Sequence, residues 1–325
     1  MNFRLFFLLL LLQMAAIACR VKDGHQAHFP AAENDAGTVV EASGGEPAQQ
    51  VVENRGEQVL RALASAYPDR VNAVEFDDGD WSILVYGERF YFAGGRFLPA
   101  SLRGEVNQFA PMPFYFYQEE LPPWVSPTPE ESARLREQTR NRNTNQLKRS
   151  THFTDALWRS RNRDEAWEHI KQIRFLGMTV QVHYSILVQL SVVEEQILRL
   201  SKTNNAVRQW INSLGSADGW AWRNIASSEN RSYHAYGAAI DLMPKSSSGL
   251  EIYWLWTYGK NIDWWNVPYS RRYHPPNEVI KIFESFGFIW GGKWRYYDTI
   301  HFEYRPEILL LSGMAITDLR DLRFE

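Results

Sequence analysis

"SYHAYGAAIDL", residues 232–242, sets His234 and Asp241 seven positions apart with Gly237 between them, and how that interval is read decides the fold. A carboxylate in so apolar a run is costly to bury unless it is paired or coordinates a cation. Along one unbroken strand an odd spacing aims two side chains at opposite faces. Gly237 offers the turn that returns them to one side. Further on, "YYDTIHFEYRP" (296–306) alternates Ile300 and Phe302 with His301 and Glu303, so His301 and Glu303 share a face of a predicted strand. If that face meets the first segment, two imidazoles and one carboxylate converge and leave a fourth position open. This is the N,N,O donor set of a catalytic zinc ion, which makes water a nucleophile by lowering its pKa to about 7.

Such chemistry needs a proton acceptor, and two carboxylates flank His301. Asp298, three residues before it and just after an aromatic turn, is the candidate base. Glu303, two residues after it, either orients a ligand from behind or pairs with Arg305. Its turn-like setting gives Asp298 a competing reading as a turn or capping residue.

The rest of the chain bounds these ideas. Its 325 residues, 45% hydrophobic and 22% charged, suffice for one large domain or two smaller ones with a sizeable core. A net charge of −3 gives no global electrostatic reason to bind nucleic acid, which is not an expected partner. Cys19 is the single cysteine. It excludes an intramolecular disulfide and a thiolate zinc cluster, leaving nitrogen and oxygen to hold any metal. After Arg4, the run "LFFLLLLLQMAAIA" (5–18) is too short for a confident membrane span and suits a secretory signal. "AAIAC" resembles the lipobox of bacterial lipoproteins, with Ala16 where leucine is usual. That resemblance implies a signal peptide over 1–18 and a lipidated Cys19, anchoring the protein to a membrane and facing the periplasm or cell wall. Residues 19–55, poor in large apolar side chains, read as a flexible tether.

From residue 56 the pattern is globular. A helix with Val59, Leu60, Leu63 and Tyr67 on one stripe ends at Pro68. "WSILVYGERFYFAGGRFLP" (81–99) reads as two short strands around a Gly-Glu turn, with a second turn at Gly94–Gly95. "APMPFYFYQEELPPWVSPTP" (110–129) is interrupted by proline and reads as an extended surface connection. A small α+β N-terminal module of unknown function is thus expected over 56–125. A helical connector of two charged segments follows over 126–171, the first of them facing solvent.

The C-terminal domain, 172–325, opens on a buried strand that runs into a helix. An amphipathic helix through Val193, Ile197, Leu200 and Val207 follows, then core strands at "GWAWRNIA" (219–226) and "GAAIDL" (237–242). A helix bearing Val279, Ile280, Phe283 and Phe286 stops at Gly287, and "TIHFEYR" (299–305) is the last strand. The fold class expected is α+β, a small antiparallel sheet with flanking helices that holds a zinc site.

Together, "SYHAYGAAIDL" and "GFIWGGKWRYYDTIHFEYRP" (287–306) resemble the zinc-dependent D-alanyl-D-alanine carboxypeptidase family, which includes the VanY and VanX type enzymes and the L-alanyl-D-glutamate endopeptidases of phage endolysins. The resemblance spans residues 172–312. It implies that His234, Asp241 and His301 are zinc ligands and that Asp298 is the catalytic base. It also implies that Arg223, in "WAWRNIASSENRSYH" (220–234), grips substrate or stabilises the transition state, with Arg231 as the competing candidate. Ser232 either fixes the loop or touches substrate. The implied activity is zinc-assisted hydrolysis of peptide bonds in peptidoglycan stem peptides, as a D,D- or L,D-carboxypeptidase or an endopeptidase. The rival reading is a lipoprotein that uses the same fold only to bind peptidoglycan or peptide. An aromatic stretch, "EIYWLWTYGKNIDWWNVPYSRRYHPP" (251–276), separates the two motifs. Its Trp254, Trp256, Trp264 and Trp265 either wall a cleft or pack as core. His152, His169, His183 and His274 have no matched partners and read as structural. A serine hydrolase is disfavoured, because no Gly-x-Ser-x-Gly elbow is present.

Overall fold

The computed structural model describes residues 48–141, 147–226 and 228–319. Cys19, the apolar run before it and most of the segment read as a tether lie outside the described residues. Helix α1 (Ala48–Ala66) begins inside that segment, where "AQQVVE" continues the helical pattern upstream. It buries Val59, Leu60 and Leu63, and Tyr67 follows at its end. Strands β1 (Val71–Asp77), β2 (Asp80–Val85), β3 (Glu88–Ala93) and β4 (Arg96–Pro99) then form an antiparallel meander in that order. This is two strands more than expected. β1 escapes a pattern reading because most of its residues are half or fully exposed. The turns at Tyr86–Gly87 and Gly94–Gly95 all have positive φ, as tight hairpins with right-twisted strands require.

Residues 110–128 have almost no regular structure, as their prolines dictate. They are not a surface connection, however. Phe114, Tyr115 and Tyr117 are buried while Phe116 is 69% exposed, so an extended segment sends Phe114 against Phe92 and Phe97 and sends Tyr115 and Tyr117 toward the C-terminal domain. The Tyr117 hydroxyl accepts the Trp290 N–H at 2.9 Å, and its own N–H donates to Ser312 Oγ at 2.7 Å.

Helix α2 (Pro129–Asn141) is largely exposed, with Leu135 and Thr139 buried. The second charged segment is two helices, α3 (His152–Trp158) and α4 (Arg163–Glu168). Left-handed Arg159 ends α3, and Asn162 caps α4 by accepting the N–H groups of Asp164 and Glu165. Strands β5 (Ile170–Phe175) and β6 (Met178–His183) form a hairpin where one strand was expected. The predicted amphipathic helix is also divided, into α5 (Leu187–Ser201) and α6 (Asn205–Ser213). Asn204 caps α6 through the Val207 N–H at 3.2 Å and so starts a new helix.

A second antiparallel sheet holds β7 (Leu214–Asp218), β8 (Ala239–Pro244), β9 (Phe288–Trp290) and β10 (His301–Tyr304), in the order β7-β8-β10-β9. "GWAWRNIA", expected as a core strand, is irregular instead, because Trp220 gives its N–H to the Gln181 carbonyl of β6 and leaves the sheet. Helices α7 (Trp254–Tyr258), α8 (Asn277–Ser285) and α9 (Pro306–Leu311) complete the domain. Val279, Ile280, Phe283 and Phe286 are buried as predicted, and one apolar core runs from α1 through both sheets. Trp254, Trp264 and Trp265 are buried with Leu135, Tyr296 and Tyr297 in a second cluster. They are therefore core residues, and of the four tryptophans considered for a cleft wall only Trp256 is exposed, at 38%. The α+β architecture matches expectation. No helix among the described residues is long and apolar enough to cross a membrane.

Candidate metal centre

Strand register solves half of the spacing problem. His301 of β10 stands opposite Asp241 of β8, and Asp218 of β7 stands opposite Asp241 on its other side. Directly opposed residues share a face, so Asp218, Asp241 and His301 form one row across three strands. His234 reaches that row from a single turn of 3-10 helix, Tyr233–Tyr236. Ser232, 5% exposed, caps this turn by accepting the His234 N–H at 3.3 Å. Gly237 closes the turn with φ +67°, and its carbonyl accepts the His183 N–H at 2.9 Å.

The three predicted ligands converge. Asp241 Oδ1 lies 3.2 Å from His234 Nε2 and 2.8 Å from His301 Nδ1, and the two ring nitrogens are 3.2 Å apart. One donor atom from each residue lies within 4.8 Å of the others. The far side of each ring fixes its tautomer. His234 Nδ1–H donates to the Gly219 carbonyl at 2.6 Å, and His301 Nε2 faces Glu303 Oε2 at 3.2 Å. With those protons placed outward, three lone pairs point at one another, an arrangement only a shared cation or an added proton relieves. Without a metal, a proton takes that role. Burial opposes charge on His301, yet hydrogen bonds donated to Asp241 and Glu303 push its pKa up to about 10. Burial likewise acts against the charged form of Asp241, but the two imidazoles hold its carboxyl well below the usual range. The residues present therefore fit a divalent cation in charge, donor type and spacing.

Asp298 lies three residues before β10, its backbone carbonyl accepting the His301 N–H at 3.3 Å. Its Oδ1 is buried with no hydrogen-bond partner among the described residues. Burial first, and the Asp241 charge second, push its carboxyl up to about 7, against weaker opposing pulls from His301 and Arg223. That is the state of a proton acceptor matched to neutral pH.

The two arginines part company. Arg231 is locked in place, paired with Asp155, donating to the Ser160 carbonyl at 3.0 Å and stacked 4.4 Å from the Trp222 ring. Arg223 is exposed and makes one long hydrogen bond, Nη1 to the Asn224 carbonyl at 3.4 Å, and no ion pair among the described residues. Its charge still acts on both Asp298 and Asp218. Glu303 fills both of its predicted roles, behind His301 and beside Arg305 Nη1 at 3.4 Å.

Sequence reasoning missed two contributors. Asp218 joins the row through strand register, and burial and the neighbouring Asp241 raise its carboxyl pKa. Gly219 supplies the carbonyl that orients His234, and a Cβ there would lie 2.0 Å from the Gln181 carbonyl oxygen. Only glycine permits that approach. A pocket of about 580 Å³, lined in part by Ser247, Arg272 and His274, includes none of these site residues.

A family model described as D-alanyl-D-alanine carboxypeptidase matches residues 226–304, which hold all three candidate ligands and Asp298. A second model, for a domain of unknown function, matches residues 59–114. No curated protein and no solved structure matches the chain. Residues 226–304 are thus similar to the D-alanyl-D-alanine carboxypeptidase family, and they contain a His–Asp–His cluster able to hold a metal ion.

Proposed function

We propose that the protein is a zinc peptidase that hydrolyses amide bonds in the stem peptides of peptidoglycan, held outside the cytoplasm by a lipid on Cys19. The observation that carries the reading is the convergence of His234, Asp241 and His301 beside Asp298, whose Oδ1 is buried without a hydrogen-bond partner among the described residues. The imidazole, imidazole and carboxylate set suits zinc, which when bound polarises a carbonyl and acidifies water.

The chain's own groups account for the remaining chemistry. Asp298, with a carboxyl balanced near neutral pH, takes the proton of the attacking water and returns it to the departing amine. Arg223 is exposed and free to grip a peptide carboxylate by two parallel hydrogen bonds, or to neutralise the developing oxyanion. Gly219 and Glu303 keep the imidazole lone pairs aimed inward. The N-terminal apolar run and "AAIAC" support the lipid anchor, which would place the site where cell-wall peptides are.

The test is digestion of defined muropeptides read by mass spectrometry, with zinc content measured in parallel. Asp298→Asn should retain zinc and lose hydrolysis, whereas His234→Ala should lose zinc. Wild-type protein that binds zinc yet cleaves no member of the panel would point to a peptide-binding lipoprotein instead.

A further inference from the structure

The buried face of His301 leads, through a continuous chain of polar contacts, out of the C-terminal domain. His301 Nε2 meets Glu303 Oε2 at 3.2 Å, and the other Glu303 oxygen meets Arg305 Nη1 at 3.4 Å. Arg305 Nε pairs with Glu307, whose second oxygen accepts the Tyr67 hydroxyl at 2.8 Å. Arg305 Nη2 donates to the Pro113 carbonyl at 3.4 Å. All five side chains are between 1% and 7% exposed. Tyr67 and Pro113 belong to the N-terminal module, within the span matched by the domain of unknown function.

A second contact runs beside the first. The Tyr115 hydroxyl accepts Trp294 Nε1–H at 3.0 Å, and the Trp294 ring packs 5.4 Å from the His301 ring.

We propose that the N-terminal module is a working part of the metal centre, with Tyr67 a positioning residue that acts on His301 through Glu307, Arg305 and Glu303. Arg305 is shared between two carboxylates, and its geometry toward Glu303 is already long. The Tyr67 hydroxyl satisfies the Glu307 oxygen that Arg305 does not reach. Removing it leaves a buried carboxylate oxygen without a donor, and Arg305 is the nearest group that can answer. Each step toward Glu307 is a step away from Glu303, which then loses its fixed orientation behind His301. Partners that orient a ligating histidine are typically worth about 10–100-fold in metal affinity. Tyr67 stands three contacts behind Glu303, so a smaller effect is expected.

The proposal rests on the metal-centre reading and not on the identity of the substrate, so its test reads metal binding alone. Zinc affinity of the full chain is measured by competition with a chelator for wild type, Tyr67→Phe and Tyr115→Phe. Val59→Ala serves as a comparison that loosens α1 without touching the polar chain. Tyr67→Phe should weaken zinc binding about 3- to 10-fold and alter the visible spectrum of the cobalt-loaded protein, while Val59→Ala changes neither. Tyr115→Phe should shift the cobalt spectrum through Trp294. The inference is overturned if Tyr67→Phe stays within about twofold of wild type with an unchanged spectrum, or if Val59→Ala weakens zinc binding equally. Weaker zinc binding in Tyr67→Phe, together with wild-type protein that binds zinc yet cleaves no muropeptide, would count against the peptidase reading and leave this one standing.

Discussion

Replacing Gly237 by alanine tests how the turn delivers His234 to the sheet. Two costs add. With φ at +67°, any side chain at 237 adopts the left-handed region, at about 1–2 kcal/mol. The new Cβ would also lie 2.5 Å from Ile170 Cδ1 and 2.7 Å from the His183 backbone nitrogen. The isoleucine methyl can rotate aside. The His183 nitrogen belongs to β6 and donates to the Gly237 carbonyl, so relief there means stretching that 2.9 Å bond or shifting the strand. Overpacking of this kind costs about 1–3 kcal/mol, which brings the total to about 2–5 kcal/mol. Gly177, in the β5–β6 turn, isolates the first cost: its φ is +79° and nothing lies within 4 Å of an added Cβ. Urea unfolding of wild type, Gly237→Ala and Gly177→Ala, each stripped with chelator, gives the comparison. Gly177→Ala should lose about 1–2 kcal/mol and Gly237→Ala at least 1 kcal/mol more, with weaker zinc binding only in the latter. Equal losses for the two variants, or full zinc affinity in Gly237→Ala, would refute the claim that this close approach sets the position of His234.

Other expectations follow from the same geometry. His183 is buried and neutral, with Nδ1 accepting the Ser185 N–H at 3.2 Å and Nε2–H facing the Trp158 carbonyl at 3.1 Å. Burial, aided by the Arg70 charge, pushes its pKa down to about 3. The unfolded chain takes up this proton near pH 6.5 and the folded chain does not, so the stability it contributes is present above 6.5 and is lost as pH falls toward 3. In unfolding of chelator-treated protein, the advantage of wild type over His183→Gln should shrink by about 1.4 kcal/mol between pH 7.5 and pH 5.5; a gap independent of pH would contradict a neutral His183. The two arginines should separate stability from catalysis. Arg231→Ala leaves Asp155 buried and short of its partner and should cost about 3 kcal/mol or more, measured by denaturant midpoint. Arg223→Ala should leave stability within about 0.5 kcal/mol and lower kcat/KM on muropeptides about 100-fold.

Asp241 and His301 were legible as candidate ligands because each carries its own local contradiction: a carboxylate in "AAIDLM", and an imidazole between Ile300 and Phe302. Such conflicts between residue type and surroundings mark sites from sequence alone. Helix α8 was legible for the opposite reason, since its apolar stripe agrees with its fold. What stayed hidden depends on partners distant in the chain. Asp218 is unremarkable in "LGSAD" until register sets it beside Asp241. Asn204 reads as one more polar residue in a helix until its side chain caps α6. The aromatic residues of 114–117 read as part of a surface connection only while the groups they pack against are unseen.

The strand order carries a kinetic consequence. β10 is the last strand of its sheet to be synthesised, yet it lies between β8 and β9 and supplies the third donor. A growing chain therefore exposes His234 and Asp241 before the residue that completes their set exists, and the sheet cannot close by simple addition at an edge. Pairing of β8 with β10 spans some sixty residues of sequence, the kind of distant contact that slows folding. Ion capture and closure of the sheet then become one late event, and a trapped ion would act as a latch on the finished domain.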